Sequence, residues 1–333
     1  MKFGPVAVDD ARGAILAHSV ALSGGRLRKG ELLTDEHLSD LVADGIDTVI
    51  VARPDPNDVL ENEAAARIAA ALAPEPDRLN LRISNAFTGR VNLIAKGPGV
   101  VVLDEGRLHT LNRIDPMITL ATVPQFQQMA EGGMVGTIKI ISYAVDGDAV
   151  AQAEALVTGE PPLKLVAPVM KTARLIVTEI PRGAGDKGVK AIDARAQALS
   201  MELSDVVKVP HQLAAITEAL RAPTTTDLTL ILTGSATSDP YDIAPQALRD
   251  AGGQVERFGM PVDPGNLLFL GDLKGHPVIG LPGCARSPAL NGADWVLSRV
   301  ACGLTVTSDD IAGMGIGGLL KEIPTRPQPR AGR

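Results

Sequence analysis

Aromatic residues are scarce in this chain, and positive charge is not in excess. Phe, Trp and Tyr together make up 2% of the 333 residues, and the formal net charge is −7. Proteins that bind single-stranded nucleic acid stack bases on aromatic side chains, and nucleic-acid-binding surfaces in general carry a basic patch. The composition therefore argues against nucleic acid as a partner.

Cysteines are few, and long apolar runs are lacking. Cys284 and Cys302 are the only cysteines, so no disulfide framework is indicated. The five histidines are scattered, and no His/Cys spacing is typical of a zinc site. No stretch approaches the ~20 apolar residues that a membrane-spanning helix needs, and the N-terminal stretch lacks the apolar core of a signal peptide. We therefore expect a cytoplasmic protein without a membrane anchor.

The length of the chain indicates more than one domain, because a single core rarely extends over 333 residues. Hydrophobic residues make up 45% and charged residues 21%, which supports extensive burial in a soluble fold. We predict a small α+β N-terminal unit (1–58), a middle α+β region (59–165), an α/β domain (166–305) and a partly disordered tail (306–333).

Local patterns predict the elements of the first two segments. Residues 5–53 form a first unit, in which a short helical pattern runs from Val8 to His18. A second helix begins after Thr34 and ends at Gly45, and a β-branched strand follows at 47–52. In the middle region we predict a helix at 62–72 and strands at 91–95, 100–103, 118–123 and 137–143.

Strands and helices alternate from Ala173 onward. The predicted strands are 174–179, 205–209 and 228–233, and the predicted helices are 191–203, 211–221 and 243–251. This alternation predicts an α/β fold with a mostly parallel sheet and helices on both faces. Ligands of such sheets bind beyond the C-terminal ends of the strands.

Two turns rich in small residues each follow an apolar run within residues 228–287. The first turn, GSATSDPYD, follows LTLILT, and the second, LPGCARS, follows HPVIG. Each precedes a predicted helix, whose first N–H groups lack partners and favour anions. Glycines let the backbone approach such an anion closely. The pair of turns predicts a cleft for a phosphorylated ligand.

The order of these small residues resembles the molybdopterin-binding domain of molybdopterin adenylyltransferases, molybdenum insertases and gephyrin. The resemblance rests on Thr233-Gly234-Ser235-Ala236-Thr237 with Tyr241-Asp242, on Asp263-Pro264-Gly265, and on Gly280-Leu281-Pro282-Gly283 with Ser287. It implies a three-layer α/β fold and, as the ligand, molybdopterin or the molybdenum cofactor.

Weaker resemblances extend to the rest of the chain. Residues 5–53 resemble the segment that precedes the molybdopterin domain in the insertases. The phrases LHTLNRIDPMITLATVP and GMVGTIKIISYAV resemble a domain of bacterial molybdopterin-binding proteins.

The resemblance assigns catalytic and metal-binding roles to three acidic residues. Asp242 aligns with the family acid that handles Mg²⁺ and the adenylated pterin phosphate, and Asp239 could serve as a further oxygen ligand for the metal. Glu179 is the acid that remains where the family carries Gly-Asp-Glu after its first strand. Asp242 is also a favoured residue for capping the helix that follows it, and the two roles are compatible.

The same resemblance assigns the ligand contacts. They fall on Thr233, Gly234, Ser235, Thr237, Pro264, Gly265, Leu281, Pro282, Gly283 and Ser287. The alternative for either turn alone is an ordinary strand-to-helix connection. Cys284 stands where the family has Asn, and it either contacts molybdenum or fills a small apolar space.

The chain departs from the family after its first strand, where Glu179 is followed by Ile180-Pro181. Proline has no N–H, so this turn has one backbone donor fewer. The basic residues Arg182, Lys187 and Lys190 come next and either favour a phosphate or form a solvated loop. A binding protein tolerates such a change more readily than an enzyme.

We therefore expect a protein that binds molybdopterin or the molybdenum cofactor during its synthesis, maturation or delivery. The alternative is a Mg²⁺-dependent molybdopterin adenylyltransferase or molybdotransferase, and a less favoured one is a hydrolase of another nucleotide pyrophosphate. The resemblance also implies a homo-oligomer whose protein partners are an apo-molybdoenzyme or other cofactor-biosynthesis proteins.

Overall fold

A computed structural model of the chain describes residues 1–181, 183 and 186–320. They form two compact units. The first comprises residues 1–96, 101–125 and 131–165, and the second comprises residues 97–100, 126–130 and those from 166 onward. The finer division into four segments remains a prediction. Within the described residues, no helix combines the length and the apolar character needed to cross a membrane.

The first half of the chain contains short strands and four helices. The strands are β1 (Lys2–Ala7), β2 (Ile15–Leu16), β3 (Val20–Leu22), β4 (Gly25–Leu27), β5 (Thr48–Arg53), β6 (Asp58–Leu60), β7 (Leu81–Ile83), β8 (Arg90–Ala95), β9 (Gly99–Leu103), β10 (Ile118–Thr122), β11 (Gln128–Met129), β12 (Met134–Ile140), β13 (Ala144–Asp146) and β14 (Leu163–Val166). The helices are α1 (Asp35–Ala43), α2 (Glu61–Leu72), α3 (Glu105–Ile114) and α4 (Gly147–Val157). Sheets of order β1-β5-β2 and β10-β12-β8-β7 are the main ones in the first unit.

Two local predictions for the N-terminal unit have different outcomes. Helix α1 begins after Thr34, as the sequence predicts, and the Thr34 side chain forms a capping box with His37. The helix predicted from Val8 to His18 is wrong. Only Val8–Asp10 forms a 3₁₀ turn, and β2 follows because it pairs with β5, so tertiary pairing overrides the helical pattern.

The second unit is built on a six-stranded sheet of order β16-β15-β17-β20-β19-β18. Its strands are β15 (Thr172–Glu179), β16 (Glu202–Pro210), β17 (Leu228–Leu232), β18 (Gln254–Phe258), β19 (Phe269–Leu273) and β20 (His276–Leu281). Its helices are α5 (Val189–Gln197), α6 (Leu213–Arg221), α7 (Ile243–Asp250), α8 (Gly292–Ala301) and α9 (Ser308–Gly313). Strands β16, β15, β17 and β20 are mutually parallel, and β19 runs antiparallel to both of its neighbours.

Helices cover both faces of this sheet, as the alternating pattern predicts. Leu175 and Val177 of β15 lie in a buried cluster with residues of α5, α8 and α9. Ile176, between them in sequence, lies in a second cluster with residues of α6 and α7. Because successive side chains of a strand point to opposite faces, these two clusters define a three-layer α/β arrangement.

Two element boundaries in the second unit differ from the predictions. The helix predicted at 191–203 ends at Gln197, because Ser200 adopts a left-handed backbone conformation (φ 54°) and the chain then enters β16. The turn after β20 does not open an α-helix directly. A 3₁₀ turn, Gly283–Arg286, comes first, and α8 begins at Gly292.

The predicted tail begins as ordered structure. Ile311 of α9 is fully buried in the core of the second unit. The rest of the predicted tail, residues 321–333, lies outside the described residues, so the predicted partial disorder is not tested.

Candidate functional site

The two turns singled out from the sequence begin on neighbouring parallel strands. Strand β17 ends at Leu232 and β20 ends at Leu281, and these two residues are partners in the strand pairing. Paired strands lie about 4.8 Å apart. The β17 loop (residues 233–242) and the β20 turn (residues 282–287) therefore leave the same edge of the sheet side by side.

The hydroxyl groups of the β17 loop are used mostly within the loop. Thr233 donates its hydroxyl to the carbonyl of Ser235 (2.6 Å), and its Oγ1 lies 3.4 Å from Oγ1 of Thr237. Both threonines are buried, whereas Ser235 is exposed. The two threonine hydroxyls therefore shape the loop, and Ser235 offers an exposed hydroxyl.

Gly234 packs closely against the end of β15. Its N–H donates to the hydroxyl of Thr178 (2.8 Å), and a Cβ at position 234 would lie 2.7 Å from the carbonyl oxygen of Thr178. The Thr178 hydroxyl also lies 2.8 Å from Nδ1 of His211, which follows β16. Thr178 thus links the C-terminal ends of three adjacent strands.

Consecutive backbone donors of the β17 loop are available. The N–H groups of Ser235, Ala236 and Thr237 donate none of the hydrogen bonds found among the described residues. Ser235 and Ala236 are exposed, so their N–H groups face water or a ligand. Backbone N–H groups are obligatory donors, and grouped donors of this kind bind anions.

The two aspartates of the β17 loop have structural partners. Asp242 caps α7: one carboxylate oxygen accepts from the N–H of Ile243 (2.7 Å), and the other accepts from Ser238 (2.8 Å). Asp239 accepts from the N–H of Tyr241 (2.8 Å) and is exposed. The capping role of Asp242 is therefore present, and its role with a metal remains a prediction.

Glu179 ends β15 with an exposed side chain. Its backbone carbonyl accepts from the N–H of His211 (2.9 Å).

Nearby, Lys208 forms an ion pair with Asp186, which raises the pKa of the lysine. Among the residues that the structure describes, no three His, Cys, Asp or Glu side chains form a group that could hold a metal ion. Arg182, considered above as a phosphate-binding residue, lies outside them.

A buried arginine holds the β20 turn from α5. Arg195 donates to the carbonyls of Ala285 (3.0 Å), Ser287 (2.9 Å) and Ala289 (3.0 Å). It also forms an ion pair with Asp294 of α8 (2.5 Å). This arginine was not among the residues predicted from the sequence. The sequence feature that could have identified it is a charged residue on the otherwise apolar face of α5, three positions after the buried Ile192.

The predicted contact residues of the β20 turn differ in exposure. Leu281 and Pro282 are buried, whereas Gly283 and Ser287 are exposed. The Ser287 hydroxyl accepts from the N–H of Ala289 (3.2 Å). Gly283 is the first residue of the 3₁₀ turn, and its N–H donates none of the hydrogen bonds described. Gly283 and Ser287 thus remain accessible to a ligand.

Arg286 joins three segments at this edge of the sheet. One Nη donates to the carbonyl of Thr233 (2.8 Å), and the other donates to the carbonyl of Lys187 (2.5 Å). Gly188, with φ +107°, passes within contact of this side chain, because a Cβ there would lie 2.8 Å from Cγ of Arg286. Burial lowers the pKa of the Arg286 guanidinium from its ordinary value. Sequence analysis did not single out this arginine.

Pro264 and Gly265 lie at the same edge, before β19. Both are buried, and the carbonyl of Pro264 accepts from the N–H of Gly292 at the start of α8 (2.8 Å). A Cβ at position 265 would lie 2.7 Å from the nitrogen of Gly292. These two residues therefore position α8 against the loop that leads into β19, and their contact with a ligand remains a prediction.

Family comparisons match two parts of the chain. Residues 174–301 match the family described as a probable molybdopterin binding domain. Residues 5–53 match a family described as a domain of unknown function (DUF8806). No curated protein matches the chain.

Solved structures give weak overall alignments. The molybdopterin biosynthesis MoeA protein from Pyrococcus horikosii aligns with 91% of this chain and 75% of its own length, at 14% identity and a TM-score of 0.32. A molybdenum cofactor biosynthesis protein from Pyrococcus furiosus aligns with 94% of this chain and 65% of its own length, at 14% identity and a TM-score of 0.23. Similarities of this size carry no argument about function.

Proposed function

Starting from the membership of residues 174–301 in the probable molybdopterin binding domain family, we propose that this protein binds molybdopterin or the molybdenum cofactor. Its role would lie in cofactor biosynthesis, maturation or delivery. The ligand would sit against the β17 loop and the β20 turn. The observation that carries the proposal is the set of N–H groups of Ser235, Ala236 and Thr237, which donate to no acceptor among the described residues. Their loop leaves the sheet beside the turn that contains the accessible Gly283.

The donors at this edge fit an anion. The N–H groups of the β17 loop carry partial positive charge, and the guanidinium of Arg286 contacts the carbonyl of Thr233 at the start of the same loop. A pterin phosphate would supply oxygen acceptors to these donors. The exposed hydroxyls of Ser235 and Ser287 are further donors for the phosphate or the pterin.

The same edge fits Mg²⁺ less well. Hard oxygen ligands such as carboxylates are what this ion requires. Asp242 and Asp239 accept hydrogen bonds from the loop backbone, and no group of three metal-ligating side chains occurs in the described part of the chain. We therefore favour a carrier that binds the cofactor and transfers it to an apo-molybdoenzyme.

One observation keeps the enzymatic alternative in place. Each carboxylate oxygen of Asp242 accepts a single hydrogen bond, which leaves lone pairs for another ligand. Bound Mg²⁺ would neutralise phosphate charge in adenylyl transfer or in molybdate-dependent cleavage of the adenylate. In that alternative Asp242 would hold the metal with Asp239 or Glu179, and the loop amides would stabilise the developing charge.

The test separates binding from turnover. Purified protein is titrated with the fluorescent oxidised form of molybdopterin, and its single-turnover reactions are measured with molybdopterin and Mg²⁺-ATP and with adenylated molybdopterin and molybdate. We expect measurable binding, with turnover far below that of an active adenylyltransferase or molybdotransferase assayed in parallel. Comparable turnover would replace the carrier role by the enzymatic one, and absence of binding would remove both.

Localisation and assembly belong to this proposal as well. A cofactor carrier of this kind would act in the cytoplasm, where it would meet its client enzymes, and it would form a homo-oligomer. Sedimentation of the purified chain, alone and with a candidate apo-molybdoenzyme, measures the assembly and the partnership directly.

A further inference from the structure

The half-buried guanidinium of Arg286 has no anionic partner among the described residues. Its two hydrogen bonds go to the carbonyls of Thr233 and Lys187, and it forms no ion pair with any residue that the structure describes. A carbonyl oxygen solvates a cation but does not neutralise it. A guanidinium has five N–H donors, so those left over can serve a ligand.

The local structure holds this cation in one place. Gly188 leaves room for the Arg286 stem, because a Cβ at that position would lie within 3.0 Å of three Arg286 atoms. The carbonyl of Thr233 fixes one end of the guanidinium beside Gly234, the residue before the unpaired N–H groups of the β17 loop. A fixed guanidinium loses less conformational freedom when it binds an oxyanion than a mobile one would.

We propose that Arg286 is a specificity-determining residue that makes this site select ligands with a phosphate group. The inference rests on the proposed function, because it concerns the same edge of the sheet. It assigns the discrimination between a phosphorylated pterin and its dephosphorylated form to one positive charge. The backbone amides and hydroxyls would bind both forms through their other polar atoms.

Arg286 also has a structural role as a clamp, and the two roles differ in their consequences. Loss of the clamp would disturb the β17 loop and weaken both forms of the ligand. Loss of the charge would weaken only the phosphorylated form. A lysine at position 286 keeps the charge but cannot donate from two branches to both carbonyls.

The experiment compares affinities for two probes. The fluorescent oxidised molybdopterin derivative is used with its phosphate and after phosphatase treatment, and dissociation constants are measured by fluorescence quenching. The variants are Arg286→Gln, Arg286→Lys and, as a matched control, Arg249→Gln. Arg249 also clamps the β17 loop, since it donates to the carbonyl of Pro240 (2.6 Å). Thermal unfolding checks that each variant is folded.

We expect Arg286→Gln to weaken the affinity for the phosphorylated probe by about tenfold to a hundredfold, the range for one charge-assisted hydrogen bond. The affinity for the dephosphorylated probe should stay within about twofold of the wild-type value. Arg286→Lys should keep most of the preference for the phosphorylated probe, because it keeps the positive charge. Arg249→Gln should change both probes by the same small factor.

Other outcomes overturn the inference. If Arg286→Gln and Arg286→Lys each lose the same affinity for both probes, Arg286 acts as a clamp only. If Arg286→Gln binds both probes as the wild type does, Arg286 does not belong to the binding site. If Arg286→Gln does not fold, the folded Arg286→Lys variant decides. The inference is supported if this variant still prefers the phosphorylated probe, and it is overturned if the preference is lost. A wild-type protein that binds both probes equally would overturn this inference alone, whereas one that binds neither would overturn the proposed function.

Discussion

The β17 loop and the β20 turn leave neighbouring strands of one sheet, yet they are held in different ways. In the β17 loop, the side chains of Thr233, Asp239 and Asp242 form their hydrogen bonds with residues no more than four positions away in the chain. In the β20 turn and the two residues after it, three carbonyls accept hydrogen bonds from Arg195, which lies 90 to 94 residues away. Beyond the contacts of its first two residues with Arg286 and Thr178, the first loop therefore depends on neighbours in the chain, whereas the second depends on a distant helix.

The largest effect that tests this comparison should come from Arg195→Met. The change removes one member of a buried ion pair, leaves Asp294 without its cationic partner, and removes the donor to three carbonyls between Ala285 and Ala289. We expect the free energy of unfolding to fall by about 3–5 kcal/mol. Urea denaturation measures it.

The control is Arg249→Met, which removes a clamp from the other loop. Arg249 donates to Pro240 and lies over the ring of Tyr241 at 4.9 Å, but the β17 loop keeps its internal hydrogen bonds. We expect a loss of about 1 kcal/mol. Equal losses in the two variants would show that the β17 loop depends on Arg249 as strongly as the β20 turn depends on Arg195.

Glycine-to-alanine changes compare the two loops directly. A Cβ at Gly234 would lie 2.7 Å from a backbone oxygen of β15, which cannot move without disturbing the sheet. We expect Gly234→Ala to cost about 1–3 kcal/mol in unfolding free energy. A Cβ at Gly283 would meet no atom within 4 Å beyond its chain neighbours, so the same change there should cost less than about 0.5 kcal/mol.

Urea denaturation measures the difference in unfolding midpoint between Gly234→Ala and Gly283→Ala. A β20 turn as sensitive as the β17 loop would mean that Gly283 approaches another surface in solution. If Gly283→Ala keeps its stability but loses pterin affinity, the ligand itself makes that approach.

The same contrast explains what could be predicted from the sequence. The β17 strand, its glycine turn and the cap at Asp242 depend on neighbours in the chain, and local patterns identified all three. The parallel sheet followed from the regular alternation of strands and helices. Such features are encoded within a few residues.

What the sequence did not show depends on partners distant in the chain. Arg195 was assigned to no site, although its ion pair spans 99 residues. Arg286 was not singled out either, and its contacts reach Thr233 and Lys187. The wrong helix at Val8–His18 has the same origin, because β5 imposes the extended pairing that replaces it.

A smaller effect is expected at Asp242, where stability and chemistry can be separated. Asp242→Ala removes the helix cap and should cost about 1 kcal/mol, whereas Asp242→Asn should be nearly neutral because Asn is also a favoured cap. If the enzymatic alternative holds, Asp242→Asn abolishes Mg²⁺-dependent turnover in a stable protein. Asp239→Ala, at an exposed position with one local hydrogen bond, is the matched comparison and should cost less. Unchanged turnover in Asp242→Asn would leave this residue with capping alone.

The smallest effect on stability should come from Ser287→Ala. Its hydroxyl accepts a hydrogen bond from Ala289 at 3.2 Å, but the residue is exposed, so water can replace the lost acceptor. We expect a loss of less than about 0.5 kcal/mol in unfolding free energy. If Ser287 contacts the ligand, as the family resemblance implies, pterin affinity should nevertheless fall by about twofold to tenfold, the range for a neutral hydrogen bond.

Ser238→Ala provides the comparison in the β17 loop. Its hydroxyl makes one long contact of 3.5 Å with the carbonyl of Ala236, and it too is exposed. Both variants should unfold at nearly the same urea concentration as the wild type, so any difference between them in pterin affinity reports on contact with the ligand. A loss of affinity in Ser287→Ala alone would assign the β20 turn to binding. A loss in Ser238→Ala alone would place the ligand on the β17 loop and leave Ser287 as a surface residue.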